Sequence, residues 1–271
     1  MNPLQTYVHA WRESAREVQT VCESLTETDW ARPTDCPGWS VQDVLAHLAA
    51  VEAELVDPGK TPRQADGSVL TAEYTELGVA ARRDRTPHEL LAEFTHAVDA
   101  REATLAELPA DPKAPAAIAP GDIGWDWETL LRNRTIDVWT HEQDIRRAVD
   151  RPGNLGGLAA QVTTAVFAAA MGYVLGKKVA PPVGTRVVWE VIGAAPFTLA
   201  LGVGEDGRAH RIETPQPEDD ATEITDLLLT MDLETFNVLA AGRRDPADVK
   251  VRIAGDRDLA RAVLSAMAVT P

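Results

Sequence analysis

Cysteine is scarce. Cys22 and Cys36 are the only two in 271 residues. They form no C-x-x-C pair, so neither a disulfide framework nor a multi-thiolate metal site is on offer, and two reduced thiols in a cytoplasmic protein are expected. Basic residues are also short, 26 against 42 acidic, for a formal net charge of −16. The deficit is concentrated in residues 1–150, with 14 basic and 27 acidic side chains. A field of that sign argues against a nucleic-acid partner and against an anionic membrane surface. It leaves room for a small anionic substrate, because a cleft can hold local Arg. No run approaches the ~20 apolar residues of a membrane span. The richest stretch, Leu158 to Leu175, is interrupted by Gln161, Thr163, Thr164 and Gly172. The N-terminus has no basic segment followed by an apolar one, so no secretory leader is expected. Phosphate-binding loops of the G-x-G-x-x-G and G-x-x-x-x-G-K-[ST] types are missing, as is the G-x-S-x-G elbow. His141-Glu142 starts like H-E-x-x-H, but Ile145 stands where the second His belongs.

What is present is helical spacing. Leu4, Val8, Trp11, Ala15, Val18, Cys22 and Leu25 make one apolar stripe about six turns long. Ser40, with Asp43 three residues on, opens a second helix whose stripe is Val44, Leu45, Leu48, Val51 and Leu55. Residues 57–68 are turn chemistry, and a short helix is predicted over 70–83. Thr86-Pro87-His88-Glu89 combines a capping box with Pro at the first helical position and starts a helix to about Leu108. After a Pro/Ala-rich loop, a helix runs from near Asp126 through Arg147, and an Ala-rich one over 157–175. Past Gly176 the pattern changes. Thr185–Ile192, Phe197–Val203, Ala209–Glu213, Ile224–Met231 and Val249–Ile253 read as short strands, with helices at Leu233–Ala241 and Asp256–Met267. Two domains follow: an all-α bundle over 1–178, and a small α+β domain on an antiparallel sheet over 179–271.

Bundle cores are where side chains on facing helices build metal sites. His47 falls on the apolar stripe of its helix, three residues after Val44 and four before Val51. Asp137 and His141, at i and i+4, share one face of the fifth helix, which Asp144 continues. Two His and a carboxylate would make a three-ligand site with open positions, the arrangement of a catalytic metal. Taken singly, a His placed like His47 is more often a satisfied core histidine, and a pair like Asp137–His141 more often a surface acid–imidazole pair. His9, His88, His96 and His210 read as structural or surface residues. Cys36 lies in a loop with no basic residue flanking it to depress its pKa.

Thr34-Asp35-Cys36-Pro37-Gly38-Trp39-Ser40-Val41-Gln42-Asp43-Val44-Leu45-Ala46-His47-Leu48 resembles the first signature of the mycothiol-dependent maleylpyruvate isomerase family. Arg134-Thr135-Ile136-Asp137-Val138-Trp139-Thr140-His141-Glu142-Gln143-Asp144-Ile145-Arg146 resembles its second. Stretches around Leu227–Asp232, Leu239–Arg243 and Ile253–Arg257 are similar to the sterol-carrier-like domain the family carries. The resemblance implies a DinB-like four-helix bundle holding a divalent metal, usually zinc, on His47, Asp137 and His141. The isomerase pattern has Glu as its carboxylate; Asp137 is one methylene shorter.

The resemblance further implies mycothiol as a thiol cosubstrate and a small electrophile as substrate, with cis–trans isomerisation or S-transfer as the reaction. An anionic substrate would need a cationic clamp, for which Arg83 and Arg134 are the leading candidates, with Arg82 and Arg85 beside the first. Asp144 is a candidate acceptor for a ligating His. Two other readings stand beside this one: a metal-dependent hydrolase on the same bundle, and a non-catalytic small-molecule binding protein. A monomer or small homo-oligomer fits any of the three.

Overall fold

A computed structural model of the chain describes residues 3–59, 71–214 and 226–270. The chain divides into two compact units, Met1–Thr163 and Thr164–Pro271. The division falls inside an Ala-rich helix, earlier than the change of sequence pattern that put a boundary after residue 178.

The first unit is built on α1 (Pro3–Glu23), α3 (Val41–Val56), α5 (Pro87–Thr104) and α6 (Trp127–Ala148). Helix α1 packs against α6, and α3 packs against α5 and α6, so four helices enclose one core. The stripe expected on α1 is buried, from Leu4 and Trp11 to Val18 and Cys22. It meets Val44, Leu45 and Leu48 of α3, Leu90 and Phe94 of α5, and Leu131, Val138 and Ile145 of α6 in a single apolar cluster. Leu25 lies past the end of α1 and packs on the rim of that cluster. A one-turn helix, α2 (Glu27–Trp30), follows, which periodicity alone does not reveal. Its mark is the Thr26–Asp29 capping box. Helix α4 (Ala72–Ala80) lies within the range expected for it; residues 60–70, including most of the predicted turn, lie outside the described residues.

Helix α3 begins where the sequence says. Ser40 Oγ accepts the backbone N–H of Asp43, and Asp43 accepts the Ser40 backbone N–H at 2.9 Å. This start sets the rotation of α3 and so the direction of His47, less than two turns on. Ser40→Ala is expected to cost about 1 kcal/mol, read as a lower urea midpoint with unchanged slope.

In the second unit, β1 (Arg186–Ile192), β2 (Phe197–Val203), β3 (Ala209–Arg211), β4 (Leu227–Asp232) and β5 (Arg252–Gly255) form one sheet in the order β3-β2-β1-β4-β5. Three of its ladders are antiparallel as expected, but β4 runs parallel to β1, pairing Val187 with Leu227 and Ile192 with Asp232. The sheet is therefore mixed. A parallel neighbour requires a long connection, and here the chain passes through β2 and β3 before returning. The start of the strand predicted at Ile224 lies outside the described residues.

Helix α7 (Leu158–Tyr173) continues as a π-type turn over Val174–Val179. The combined helical stretch, Leu158–Val179, is long and apolar enough to cross a membrane, although half of its most apolar window is buried within the fold. Helices α8 (Leu233–Ala240) and α9 (Arg257–Ala266) lie against β4. At Gly255, φ is +103°, and a Cβ would sit 2.2 Å from the Asp226 carbonyl oxygen, so this turn into α9 admits only glycine.

Candidate metal centre

His47 from α3 and Asp137 and His141 from α6 meet in the first unit. One ligand atom from each lies within 4.8 Å of the others. His47 Nε2 is 3.5 Å from Asp137 Oδ2, and His141 Nε2 is 3.5 Å from Asp137 Oδ1. The shorter carboxylate therefore still serves both imidazoles, one oxygen to each. The rings lie edge to face with centroids 4.7 Å apart. At 3.5 Å these contacts are too long for ordinary N–H···O bonds. His47 is buried with neither ring nitrogen hydrogen-bonded. Buried polar atoms are rarely left so. The donor set of two imidazoles and one carboxylate is one that catalytic divalent-metal sites use.

A family model described as the mycothiol maleylpyruvate isomerase N-terminal domain matches residues 11–146, half of the chain, and spans all three residues. The chain belongs to that family. Two crystal structures of the mycothiol-dependent maleylpyruvate isomerase, one of a histidine-to-alanine mutant, share its fold. Each aligns with a TM-score of 0.58, covering 93% of this chain and 93% of the other, at 15% identity for the unmutated protein and 14% for the mutant. No curated protein matches the sequence.

In this member of the isomerase family the ligand candidates are held by a second layer of charges. Arg134, one turn before Asp137, binds the Asp137 carboxylate through Nη1. Its Nη2 and Nε go to Glu52 Oε1 at 2.7 and 3.2 Å. Arg101 reaches the other Glu52 oxygen at 2.6 Å, and Trp11 Nε1 donates to Oε1 at 3.0 Å. Burial opposes charge on Asp137, but the Arg134 guanidinium above all holds its carboxyl well below the usual range. Burial pushes His47 down, which keeps it neutral. Burial also pulls on His141, but hydrogen bonding to Asp144 and the Cys36 thiol outweighs it and lifts His141 to about 10.

The arginines expected as substrate clamps are otherwise employed. Arg134 is only 3% exposed and is committed to Glu52 and Asp137. Arg82 and Arg85 both pair with Glu93. Arg83 is half-exposed and pairs with Glu76 at 2.6 Å and with Asp43 at 3.5 Å. The local run of arginines at 82–85 is visible in the sequence; the acids that neutralise it are not assignable there. Arg83 reaches the centre only indirectly. Glu76 accepts the indole N–H of Trp39 at 3.0 Å, and the Trp39 ring stands 5.2 Å from His47 and 6.2 Å from His141.

Trp39 was not singled out from the sequence, although it stands inside the first signature. Gly38, at φ +81°, makes the turn that brings it over the two imidazoles. Cys36, with no basic neighbour in sequence, is buried beside His141 and Asp144, which α6 supplies. His9, His88, His96 and His210 are exposed. A surface cleft of ≈ 690 Å³, lined by Cys22, Trp30, Gln42, Pro87, His88 and Leu91 among others, shares no residue with the triad. The triad opens instead at Asp137, whose side chain is 31% exposed.

Proposed function

We propose that this protein is a metal-dependent enzyme that uses mycothiol as a thiol cosubstrate and adds it to a small electrophile. His47, Asp137 and His141 would hold a divalent ion, Zn²⁺ by the character of the donors. The observation that carries this reading is the buried, unpartnered imidazole of His47, facing His141 and an ionised Asp137 that is open on one side.

A divalent ion bound there supplies one thing: it lowers the pKa of a thiol that coordinates it, so that thiolate is present at neutral pH. The mycothiol thiolate then adds to an alkene carbon of a cis-enedioyl acid such as maleylpyruvate. The C–C bond becomes single and rotates, and loss of the thiolate restores the double bond in the trans form. If the adduct is instead released, the same site performs S-transfer. The chain's own part is preorganisation. Arg134 fixes the Asp137 carboxylate, burial keeps His47 neutral, and Trp39 walls the two imidazoles. The acidic surface supports a small-molecule partner over a nucleic acid or membrane. Two free, buried cysteines accord with a cytoplasmic site of action, as a monomer or small homo-oligomer.

Elemental analysis of the purified protein is expected to give close to one zinc per chain, lost in His141→Ala while the fold is kept. Conversion of a maleylpyruvate-like acid should then require mycothiol. Turnover that needs the metal but no thiol would move the assignment to a hydrolase. A chain that takes up no zinc when it is offered would leave only a binding protein.

A further inference from the structure

His141 faces a cluster of potential ligands on each ring nitrogen. Nε2 looks toward Asp137 and His47; Nδ1 looks toward Cys36 and Asp144, and each set lies within 4.8 Å. By residue type alone either could take an ion, but their bonding differs. The second set is closed on itself. Asp144 is fully buried, and its Oδ2 lies 3.0 Å from His141 Nδ1 and accepts the Cys36 thiol at 3.1 Å. Its Oδ1 accepts Arg147 Nη2 at 2.5 Å, and Arg147 Nε continues to Asp35 at 2.6 Å. Both Asp144 oxygens already accept, one from Arg147 and one from the Cys36 thiol, so the proton in the His141 contact belongs to Nδ1. Nε2 is then the ring nitrogen that coordinates once an ion displaces its proton, aimed at the Asp137 side. The first set has the opposite character: His47 without hydrogen bonds, contacts too long to be hydrogen bonds, and one side open to solvent.

We infer that Asp144 is a positioning residue that fixes the tautomer and direction of His141, and that Cys36 belongs to this support and is not a ligand. The inference rests on the metal-centre reading above. It also separates the two histidines. His141 is oriented by the relay from Asp35 through Arg147 to Asp144, whereas His47 has ring contacts with Trp39 and His141 and no hydrogen bond.

The test is a competitive titration of Zn²⁺ against a chromophoric chelator, with no thiol present, on the full chain and on Asp144→Asn and Cys36→Ala. Asparagine keeps the shape but offers one accepting oxygen where two serve three donors. Affinity is expected to fall 10–100-fold in Asp144→Asn, the usual cost of removing such a partner, and to stay within about threefold in Cys36→Ala. With Co²⁺ in place of zinc, the full chain should lack a thiolate-to-metal charge-transfer band, and Cys36→Ala should reproduce its visible spectrum. Unchanged affinity in Asp144→Asn would overturn the inference, as would a charge-transfer band that Cys36→Ala abolishes. If Asp144→Asn does not fold, Arg147→Gln, which removes the guanidinium holding Asp144, takes its place in the titration with a fall in affinity expected, and the cobalt spectra still decide the part of Cys36. A full chain that binds no metal overturns this inference together with the proposed function. Metal binding without any thiol requirement in turnover overturns the mycothiol reading and leaves the Asp144 assignment intact.

Discussion

Glu52→Leu is expected to lower folding stability by about 3–5 kcal/mol, the usual cost of breaking a buried ion pair from one side. Glu52 has no exposure and accepts from Arg101, Arg134 and Trp11. Leucine fills much the same space but leaves two buried guanidinium groups facing one another without the charge that separates them. The loss should also depend on pH. Burial pushes the Glu52 carboxyl up, and the two arginines more than reverse this, so it titrates below its ordinary 4.5. A depressed acid contributes stability above its unfolded pKa and loses it as pH falls through the folded value. The difference between wild type and variant should therefore be full at pH 7 and shrink below about pH 4.5. Urea midpoints across that range measure it. An equal gap at pH 7 and pH 3 would mean that the cost of the variant is one of shape and not of charge.

Glu52 also illustrates what a sequence shows of a site. It stands one turn after Leu48 on the apolar face of α3, a local sign of a buried acid that the sequence analysis did not use. Which arginines answer it was not: Arg101 and Arg134 come from two other helices, far along the chain. The same limit explains the clamps. Arg134 is close to Asp137 in sequence and was naturally read as facing substrate. In the structure it turns inward to Glu52 and steadies Asp137 from behind. The helix starts were legible because a capping box is local chemistry, as at Ser40 and Thr86. The pairing of β1 with β4 was not, because alternation along a strand states which face is buried and nothing about the direction of its neighbour.

The candidate triad lies between these cases. The i, i+4 spacing of Asp137 and His141 and the stripe position of His47 are local and were legible. Their convergence is tertiary, and in the sequence it rested on the two signatures occurring together. The structure adds the asymmetry between a supported His141 and an unsupported His47, for which spacing holds no signal.

That asymmetry yields the second large effect. His47→Leu is expected to make the chelator-treated protein more stable, by about 1–2 kcal/mol, because it removes two buried ring nitrogens that have no hydrogen-bond partners. The same change should weaken zinc binding by at least about a hundredfold, since it removes one of three ligands. Added zinc then reverses the order of stability. At about a hundred times its Kd, an ion that binds only the folded chain stabilises it by about 2.7 kcal/mol. Wild type should gain that amount, and His47→Leu no more than about 0.4 kcal/mol at the same concentration. The measurement is a pair of urea melts for each protein, with chelator and with zinc. A variant less stable than wild type under chelator would mean that His47 is a satisfied core residue. Crossing stabilities would mean that its cost to the fold is retained for the ion it holds. His141→Leu should not show the same gain, because it removes the ring nitrogen that Asp144 Oδ2 and the Cys36 thiol both face. A histidine costly to keep and a histidine costly to lose, facing one carboxylate, are what a site preorganised from one side alone requires.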